Sequence, residues 1–339
     1  MLRKGDLTQG GITGTLLHFT LPMMVGSFLQ QCYNIADTLI VGQCIGAGAL
    51  AAVGSAYTLM VFLISVLLGL AMGSGTVFSL HYGAGNHVAL RHSIFSSFVL
   101  IGIVTLILNV AVFIWLDPIL RLLQVPQDIY GMMRSYLWII FCGIVFTFIY
   151  NFYASLLRAV GDSVTPLWFL AVSVVLNIAL DLFFILQLDW GIQGAAAATV
   201  LAQGVAALGI IIYTYRRRPE LRWHHEDMCF DRTCLKEIAS FSTLTCVQQS
   251  VMNLGILMVQ GLVNSFGTAV MAAFAAAVKI DSFAYMPCRN LGTPFPPLLH
   301  RTSGPDVTTV STGVFAVHLS RLLFFRSLCP YWFSSLPNR

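Results

Sequence analysis

The stretch LPMMVGSFLQQCYNIADTLIVGQCIGAGALAAVG at residues 21–54 decides the fold, because it places a carboxylate, Asp37, inside an otherwise apolar helix. An aspartate near the centre of a bilayer costs roughly 3 kcal/mol, so its side chain is expected to face a cavity or a partner within the protein. Helical steps back from Asp37 reach Asn34, Gln30 and Ser27. The sequence therefore predicts one polar stripe on this helix, lining an aqueous pocket.

The composition of the whole chain excludes a soluble protein. Of its 339 residues, 57% are hydrophobic and 9% are charged, against about 25% charged residues in soluble domains. So few charges cannot cover a soluble surface, and a polytopic membrane protein in contact with the lipid bilayer is predicted. The net charge of +4 does not indicate nucleic-acid binding. The eight cysteines form no CxxC pair, so neither a disulfide framework nor a structural metal site is expected.

Apolar windows long enough to span a membrane recur along the chain. Six of them come first and predict an N-terminal transmembrane bundle at residues 1–215. A charged linker follows at 216–237, and two more apolar windows follow it. The predicted spans lie at 15–43, 51–80, 93–115, 130–154, 164–187, 192–215, 238–264 and 269–287.

The basic residues predict the orientation of these spans. With the N-terminus in the cytoplasm, ten basic residues lie inside and two lie outside, as the positive-inside rule requires. The inner set is Arg3, Lys4, Arg91, Arg158, Arg216, Arg217, Arg218, Arg222, Arg232 and Lys236, and the outer set is Arg121 and Arg134.

The region after the linker repeats the start of the chain. FTLPMMVGSFLQQ at 19–31 resembles FSTLTCVQQSVMN at 241–253, and IGAGALAAVGSAY at 45–57 resembles FGTAVMAAFAAAV at 266–278. Such repeats are typical of two-bundle carriers. The predicted fold is therefore an all-α polytopic membrane protein, with a six-helix N-terminal bundle and, at 238–287, the first two helices of a second, repeat-related bundle.

Five motifs in order carry a resemblance to a known family: LPMMVGSFLQQCYNIADTLIVG, SLLRAVGDSVTP, LNIALDLFFI, GAAAATVLAQ and AFAAAVKIDSFAYMP. Together they resemble the multidrug and toxic compound extrusion (MATE) family. The resemblance implies a twelve-helix, monomeric antiporter of the inner (plasma) membrane, not an enzyme. It would expel organic, often cationic, compounds and other xenobiotics in exchange for protons or sodium ions, with no cofactor beyond the coupling ion.

The resemblance also implies a cation-coupling site in the N-terminal bundle, formed by Asp37, Asn177, Asp181 and Thr199. Independently of the family, Asn177 and Asp181 are four residues apart, hence on one helical face, and both lie in an apolar span. Two carboxylates close together in such a place would attract a proton or a sodium ion. The residues do not decide between these ions.

The lining of the substrate cavity is assigned to polar, aromatic and methionine side chains, of which the last two adapt well to varied ligands. Plain packing explains the same methionines. The assigned residues are Gln30, Tyr33, Asn34, Met252 and Met258.

Other interpretations remain open from the sequence. A purely structural role is the alternative to ion coupling for Asp37 and Asp181, and helix-packing hydrogen bonds would explain Asn177 and Thr199. A membrane enzyme would need a nucleophile with a base, or metal-ligand spacing, and neither is found in the sequence. A lipid-intermediate flippase of related fold would need several basic residues in its cavity. Glycines 69, 73 and 75 are expected to allow close helix contacts.

The family pattern stops near Pro287. Residues 288–339 contain many prolines, five arginines and no apolar span of adequate length, so we expect a non-family tail that is disordered in water. A shifted reading frame or fused foreign sequence would explain the abrupt change. Because an antiporter of this kind needs two bundles, we expect impaired efflux, and an inactive fragment is the alternative.

Overall fold

The computed structural model describes residues 12–222 and 232–278. Over these ranges every regular element is a helix. The helices are α1 Ile12–Cys44, α2 Ala47–Gly83, α3 His87–Leu122, α4 Gln127–Cys142, α5 Ile144–Ala159, α6 Val164–Leu182, α7 Gly191–Arg217, α8 Arg232–Asn264 and α9 Thr268–Val278. A π-helical turn, Phe183–Gln187, extends α6, and a 3-10 turn, Pro219–Leu221, follows α7.

Most of these helices are long and apolar enough to cross a membrane. The helices that meet this condition singly are α2, α3, α7, α8 over Cys234–Asn264, and α6 with its π extension. The helices α4 and α5 meet the condition only as a pair, which is bent by 48°. The 33-residue α1 is also long enough to cross a membrane. The prediction of an all-α polytopic membrane protein is confirmed.

The helix within the predicted span at 130–154 is broken. Helices α4 and α5 meet at Gly143 with a bend of 48°. A Cβ atom at residue 143 would lie 2.6 Å from Cγ2 of Val200 on α7. A glycine at the bend therefore lets α7 approach the backbone closely, which a bulkier residue would prevent.

Helix α2 lies at the centre of the bundle and contacts α1, α3, α4, α5 and α8. Its small residues form a groove for α8: a Cβ at Gly69 would lie 2.5 Å from Cα of Cys246, and one at Gly73 would collide with Ser242. Gly75 is in ordinary contact distance of Ser155 on α5. The expected close helix contact is thus confirmed at residues 69 and 73, where glycines four apart share one helical face.

Aromatic rings fill the space between α2, α3 and α5. The ring of Phe98 lies 5.3 Å from those of Phe148 and Phe152, and Phe78 meets Phe152 edge to face at 5.9 Å. Such pairs stabilise packing by about 0.5–1.5 kcal/mol beyond the area they bury. This cluster fixes α5, which carries one wall of the cavity described below.

A buried polar junction joins α8 to the N-terminal bundle. The amide nitrogen of Asn264 donates to the Leu123 carbonyl at 2.8 Å and to Ser55 Oγ at 3.2 Å. Gln260 Nε2 donates to the Asn264 side-chain oxygen at 2.8 Å. At the other end of α8, Glu237 lies 3.3 Å from His81 on α2. The helix α8 is therefore held to α2 at both ends.

Several predicted regions fall partly or wholly outside the described residues. Part of the linker at 216–237, the end of the window at 269–287 and all of the tail at 288–339 are among them. Their domain assignments stay predictions, as does the orientation of the spans.

Candidate ion site and cavity

Three helices bring the four predicted ion-site residues to one region of the N-terminal bundle. Helix α1 carries Asp37, α6 carries Asn177 and Asp181, and α7 carries Thr199, and α6 packs against both other helices. All four are buried, with exposed fractions of 7% for Asp37, 1% for Asn177, 0% for Asp181 and 6% for Thr199. Acids so deeply buried require partners or a bound cation.

A chain of hydrogen bonds connects α1, α7 and α6. The Tyr33 hydroxyl lies 3.3 Å from Thr199 Oγ1. With its nitrogen turned toward the carboxylate, the Asn177 amide donates to Asp181 Oδ2 at 2.9 Å. Its oxygen then accepts from the Thr199 hydroxyl at 3.3 Å and from the Thr199 backbone N–H at 3.1 Å. This orientation satisfies both ends of the amide and gives a consistent donor direction from Tyr33 to Asp181.

The second oxygen of Asp181 is fully buried and has no hydrogen-bond partner among the described residues. The negative charge of Asp37 also acts on Asp181. Two mutually repelling carboxylates with an unsatisfied oxygen form a site of negative potential. Carboxylate, amide and hydroxyl oxygens are suitable ligands for a hard cation, and a carboxylate is equally able to take a proton.

Sequence reasoning missed Tyr136, which lies on α4. This residue is 5% exposed, and the charges of Asp37 and Asp181 both act on it. A fourth helix thus brings a phenol within electrostatic reach of both acids. The only sequence signal was a phenol inside an apolar span, and the span carries no polar periodicity that shows which way Tyr136 faces.

A cavity of about 220 Å³ adjoins the acids and is walled by α1, α5, α6 and α7. Gln30 and Tyr33 line it, as predicted residues of the substrate cavity, and so do Asn177 and Thr199 from the ion site. The hydroxyl of Tyr33 therefore belongs both to the cavity wall and to the hydrogen-bond chain that ends at Asp181.

The other predicted cavity residues lie elsewhere. Asn34 is absent from the walls of this cavity and donates to Gln31 Oε1 at 3.2 Å. Met252 and Met258 lie on α8 with exposed fractions of 56% and 69%, apart from this cavity. Their assignment to a substrate cavity stays a prediction.

The α5 wall of the cavity carries polar side chains. Thr147 Oγ1 donates to Gln203 Oε1 on α7 at 2.6 Å, and the Tyr150 hydroxyl donates to the Pro166 carbonyl at 3.0 Å. Both contacts tie α5 to its neighbours. They leave a cavity with hydrogen-bonding groups on several sides rather than a purely apolar one.

Comparison with protein families agrees with this architecture. Residues 22–183, which run from Pro22 in α1 to just past the end of α6, match the family model described as MatE. This segment belongs to the MatE family. The predicted resemblance to multidrug and toxic compound extrusion proteins is confirmed.

Curated relatives align with most of this chain. The chain is 32% identical to the probable multidrug resistance protein YpnP of Bacillus subtilis over 299 residues, covering 86% of the chain and 65% of YpnP. It is 25% identical to the multidrug export protein MepA of Staphylococcus haemolyticus, over 94% of the chain and 70% of MepA. The chain thus spans 65% of the length of YpnP and 61% of its relative YoeA, also from Bacillus subtilis.

Solved MATE structures have the same fold. An outward-facing MATE family transporter of the MOP superfamily superposes with a TM-score of 0.83 at 22% identity, over 95% of this chain and 70% of its own. A mutant of the Vibrio cholerae MATE transporter VcmN gives 0.81 at 25% identity, over 92% of this chain and 71% of its own.

Proposed function

We propose that this chain contributes to secondary active efflux of organic, often cationic, compounds, and that a proton or sodium ion bound at Asp37, Asn177, Asp181 and Thr199 is coupled to it. The observation that carries the proposal is the fully buried oxygen of Asp181, which has no hydrogen-bond partner among the described residues and on whose carboxyl group the charge of Asp37 acts. The names of YpnP and MepA as multidrug resistance and export proteins support the choice of cargo.

The hydrogen-bond chain offers a route by which an ion at Asp181 affects the cavity. A cation that takes the Asp181 oxygens competes with the Asn177 amide for them, and Asn177 is bonded to Thr199. Thr199 in turn contacts Tyr33, which lines the cavity. Ion binding therefore changes groups that line the cavity and face a ligand there. The coupling free energy equals the difference in ion-binding free energy between the ligand-bound and the ligand-free cavity.

The test compares charge removal inside and outside the site. The 339-residue chain is purified into nanodiscs, and binding of radioactive sodium is measured together with proton release on sodium addition. In Asp181→Asn and in Asp37→Asn we expect loss of both signals, because an amide neither carries the charge nor releases a proton. The matched control is Asp117→Asn, an exposed acid paired with Arg134 at 2.8 Å, which should bind ions like the parent chain.

Ion binding in Asp181→Asn equal to that of the control would contradict the ion site. Efflux is tested separately, by loading vesicles with a fluorescent organic cation and imposing a proton or sodium gradient. The impaired efflux expected of the 339-residue chain stays a prediction that this assay decides. Monomeric state, inner-membrane location and a cytoplasmic N-terminus belong to the same proposal.

A further inference from the structure

An arginine lies at one end of the cavity. Arg158, in the last turn of α5, lines it together with Ser163 and Pro166 at the start of α6. A guanidinium group carries five N–H donors. The hydrogen bond it makes among the described residues is a long one, from Nη2 to Ser155 Oγ at 3.5 Å. Most of its donors are thus left for another acceptor.

The nearest acid in sequence is committed elsewhere. Asp162 accepts from the Thr165 backbone N–H at 3.0 Å and from the Thr165 hydroxyl at 2.9 Å. Its Oδ2 also pairs with Nη2 of Arg218 at 3.2 Å, and Arg218 pairs with Glu220 at 3.3 Å. Within residues 12–222 and 232–278, no acid lies within ion-pair distance of Arg158.

Arg158 and Arg218 differ in whether acidic partners balance their charge. Burial opposes the charge of Arg218, yet its hydrogen bonds and ion pairs with Asp162 and Glu220 hold its pKa above the ordinary value. Arg158 has no ion pair among the described residues, and it lines a cavity. A partly desolvated cation without a counter-ion is costly, and a ligand that supplies the negative charge removes that cost.

The cavity also separates opposite charges. Along α6, the lining residues run from Pro166, which follows the α5–α6 turn that begins after Arg158, to Asn177, whose amide donates to Asp181. These eleven helical steps span roughly 16 Å, at 1.5 Å per residue. One end thus presents a guanidinium group and the other end lies beside two carboxylates, so an elongated ligand would meet positive potential at one end and negative potential at the other.

We propose that Arg158 binds the anionic group, a carboxylate or phosphate, of an elongated ligand that occupies this cavity. The planar guanidinium fork suits either group, because it makes two parallel hydrogen bonds to their oxygens. Ser163, which lines the same end, adds a hydroxyl donor. This inference deepens the proposed function by naming a class of compound for its cavity, and it is tested by binding, so it fails independently of ion coupling.

The experiment uses two fluorescent ligands that differ only in charge, 7-diethylaminocoumarin-3-carboxylate and the corresponding carboxamide. Their affinities for the 339-residue chain are measured by fluorescence anisotropy in nanodiscs of phosphatidylcholine. We expect the parent chain to bind the carboxylate at least about tenfold more tightly, because a charge-assisted bidentate pair is replaced by neutral hydrogen bonds in the carboxamide. Equal affinities in the parent chain would overturn the proposal without any substitution.

Variants locate the effect at Arg158. In Arg158→Gln the preference for the carboxylate should disappear while carboxamide binding is retained, and Arg158→Lys should keep part of the preference because the charge remains. The matched control is Arg121→Gln, an exposed arginine at the end of α3, which should behave like the parent chain. An unchanged preference in Arg158→Gln, or the same loss in the Arg121 control, would overturn the proposal.

The same chemistry is present in lipid head groups, and a second arm of the experiment separates the two sources. Nanodiscs that contain phosphatidylglycerol are compared with those of phosphatidylcholine alone. If the natural occupant is an anionic lipid, phosphatidylglycerol weakens carboxylate binding in the parent chain and has no such effect in Arg158→Gln. If the occupant is a free anionic compound, the lipid composition leaves the affinity unchanged in both, and the anion site itself stands in either case.

Discussion

The groove on α2 offers a test of how closely α8 packs against the N-terminal bundle. At Gly69, a Cβ atom would lie 2.5 Å from Cα and 2.8 Å from the backbone nitrogen of Cys246. Non-bonded carbon atoms pack at about 3.5–4.0 Å, so Gly69→Ala requires α2 and α8 to separate by about 1 Å at this point. Backbone atoms cannot rotate out of the way as a flexible side chain would.

The expected cost follows from two opposing effects. Overpacking of this kind costs about 1–3 kcal/mol, while alanine returns about 1 kcal/mol of helix propensity. We therefore expect a net loss of up to about 2 kcal/mol of unfolding free energy in Gly69→Ala. At about 2–4 °C per kcal/mol, the midpoint temperature should fall by up to roughly 8 °C.

Gly255 supplies the matched control, because it lies within α8 and no described atom is within 4 Å of the place where its Cβ would be. Gly255→Ala should gain about 1 kcal/mol from helix propensity alone. Thermal unfolding is followed in detergent with a fluorogenic maleimide, which also reports on Cys246 as α8 leaves α2. A midpoint for Gly69→Ala at or above that of Gly255→Ala would refute the packing argument.

Two further predictions concern the ends of α8 and the orientation of the chain. Asn264→Ala should lower the unfolding free energy by about 1–3 kcal/mol, since it leaves buried partners at Leu123 and Gln260 unsatisfied. Asn253→Ala, whose amide donates within its own helix to the Gln249 carbonyl, should cost less, and equal midpoints in the same unfolding assay would count against the junction. The predicted topology places Cys44, an exposed residue at the end of α1, outside the cell. In single-cysteine variants, Cys44 should therefore react with an impermeant maleimide in intact cells and Cys229 only after permeabilisation, and the reverse pattern would invert the topology.

The sequence predicted the helical, membrane-spanning class because composition and span length are properties of whole segments, which neighbours do not alter. It also predicted the close contact at Gly69 and Gly73, since two glycines one helical turn apart leave a furrow wherever the helix packs. It did not predict the break at Gly143. An apolar window has the same average hydrophobicity with or without a bend, and the close approach of Val200 comes from a distant part of the chain.

The residues of the candidate site were likewise predicted only in part from the sequence. Charged or amide side chains in apolar spans are visible in the sequence, so Asp37, Asn177 and Asp181 were identifiable as unusual. Tyr136 was not, because a tyrosine is compatible with the core, the lipid interface or a cavity wall. The position of Arg158 at the cavity end was hidden as well, since its place beside a loop suggested only a cytoplasmic charge.

The dependence of α2 on α8 has a consequence for biosynthesis. About 180 residues separate the end of α2 from the end of α8, and synthesis at about 5–20 residues per second takes roughly 10–35 s to cover them. During that interval α8 is absent from the groove at Gly69 and Gly73, and lipid acyl chains contact the groove instead. The docking of α8 is therefore an exchange of lipid for protein, driven by the fit of two backbones and not by escape from water.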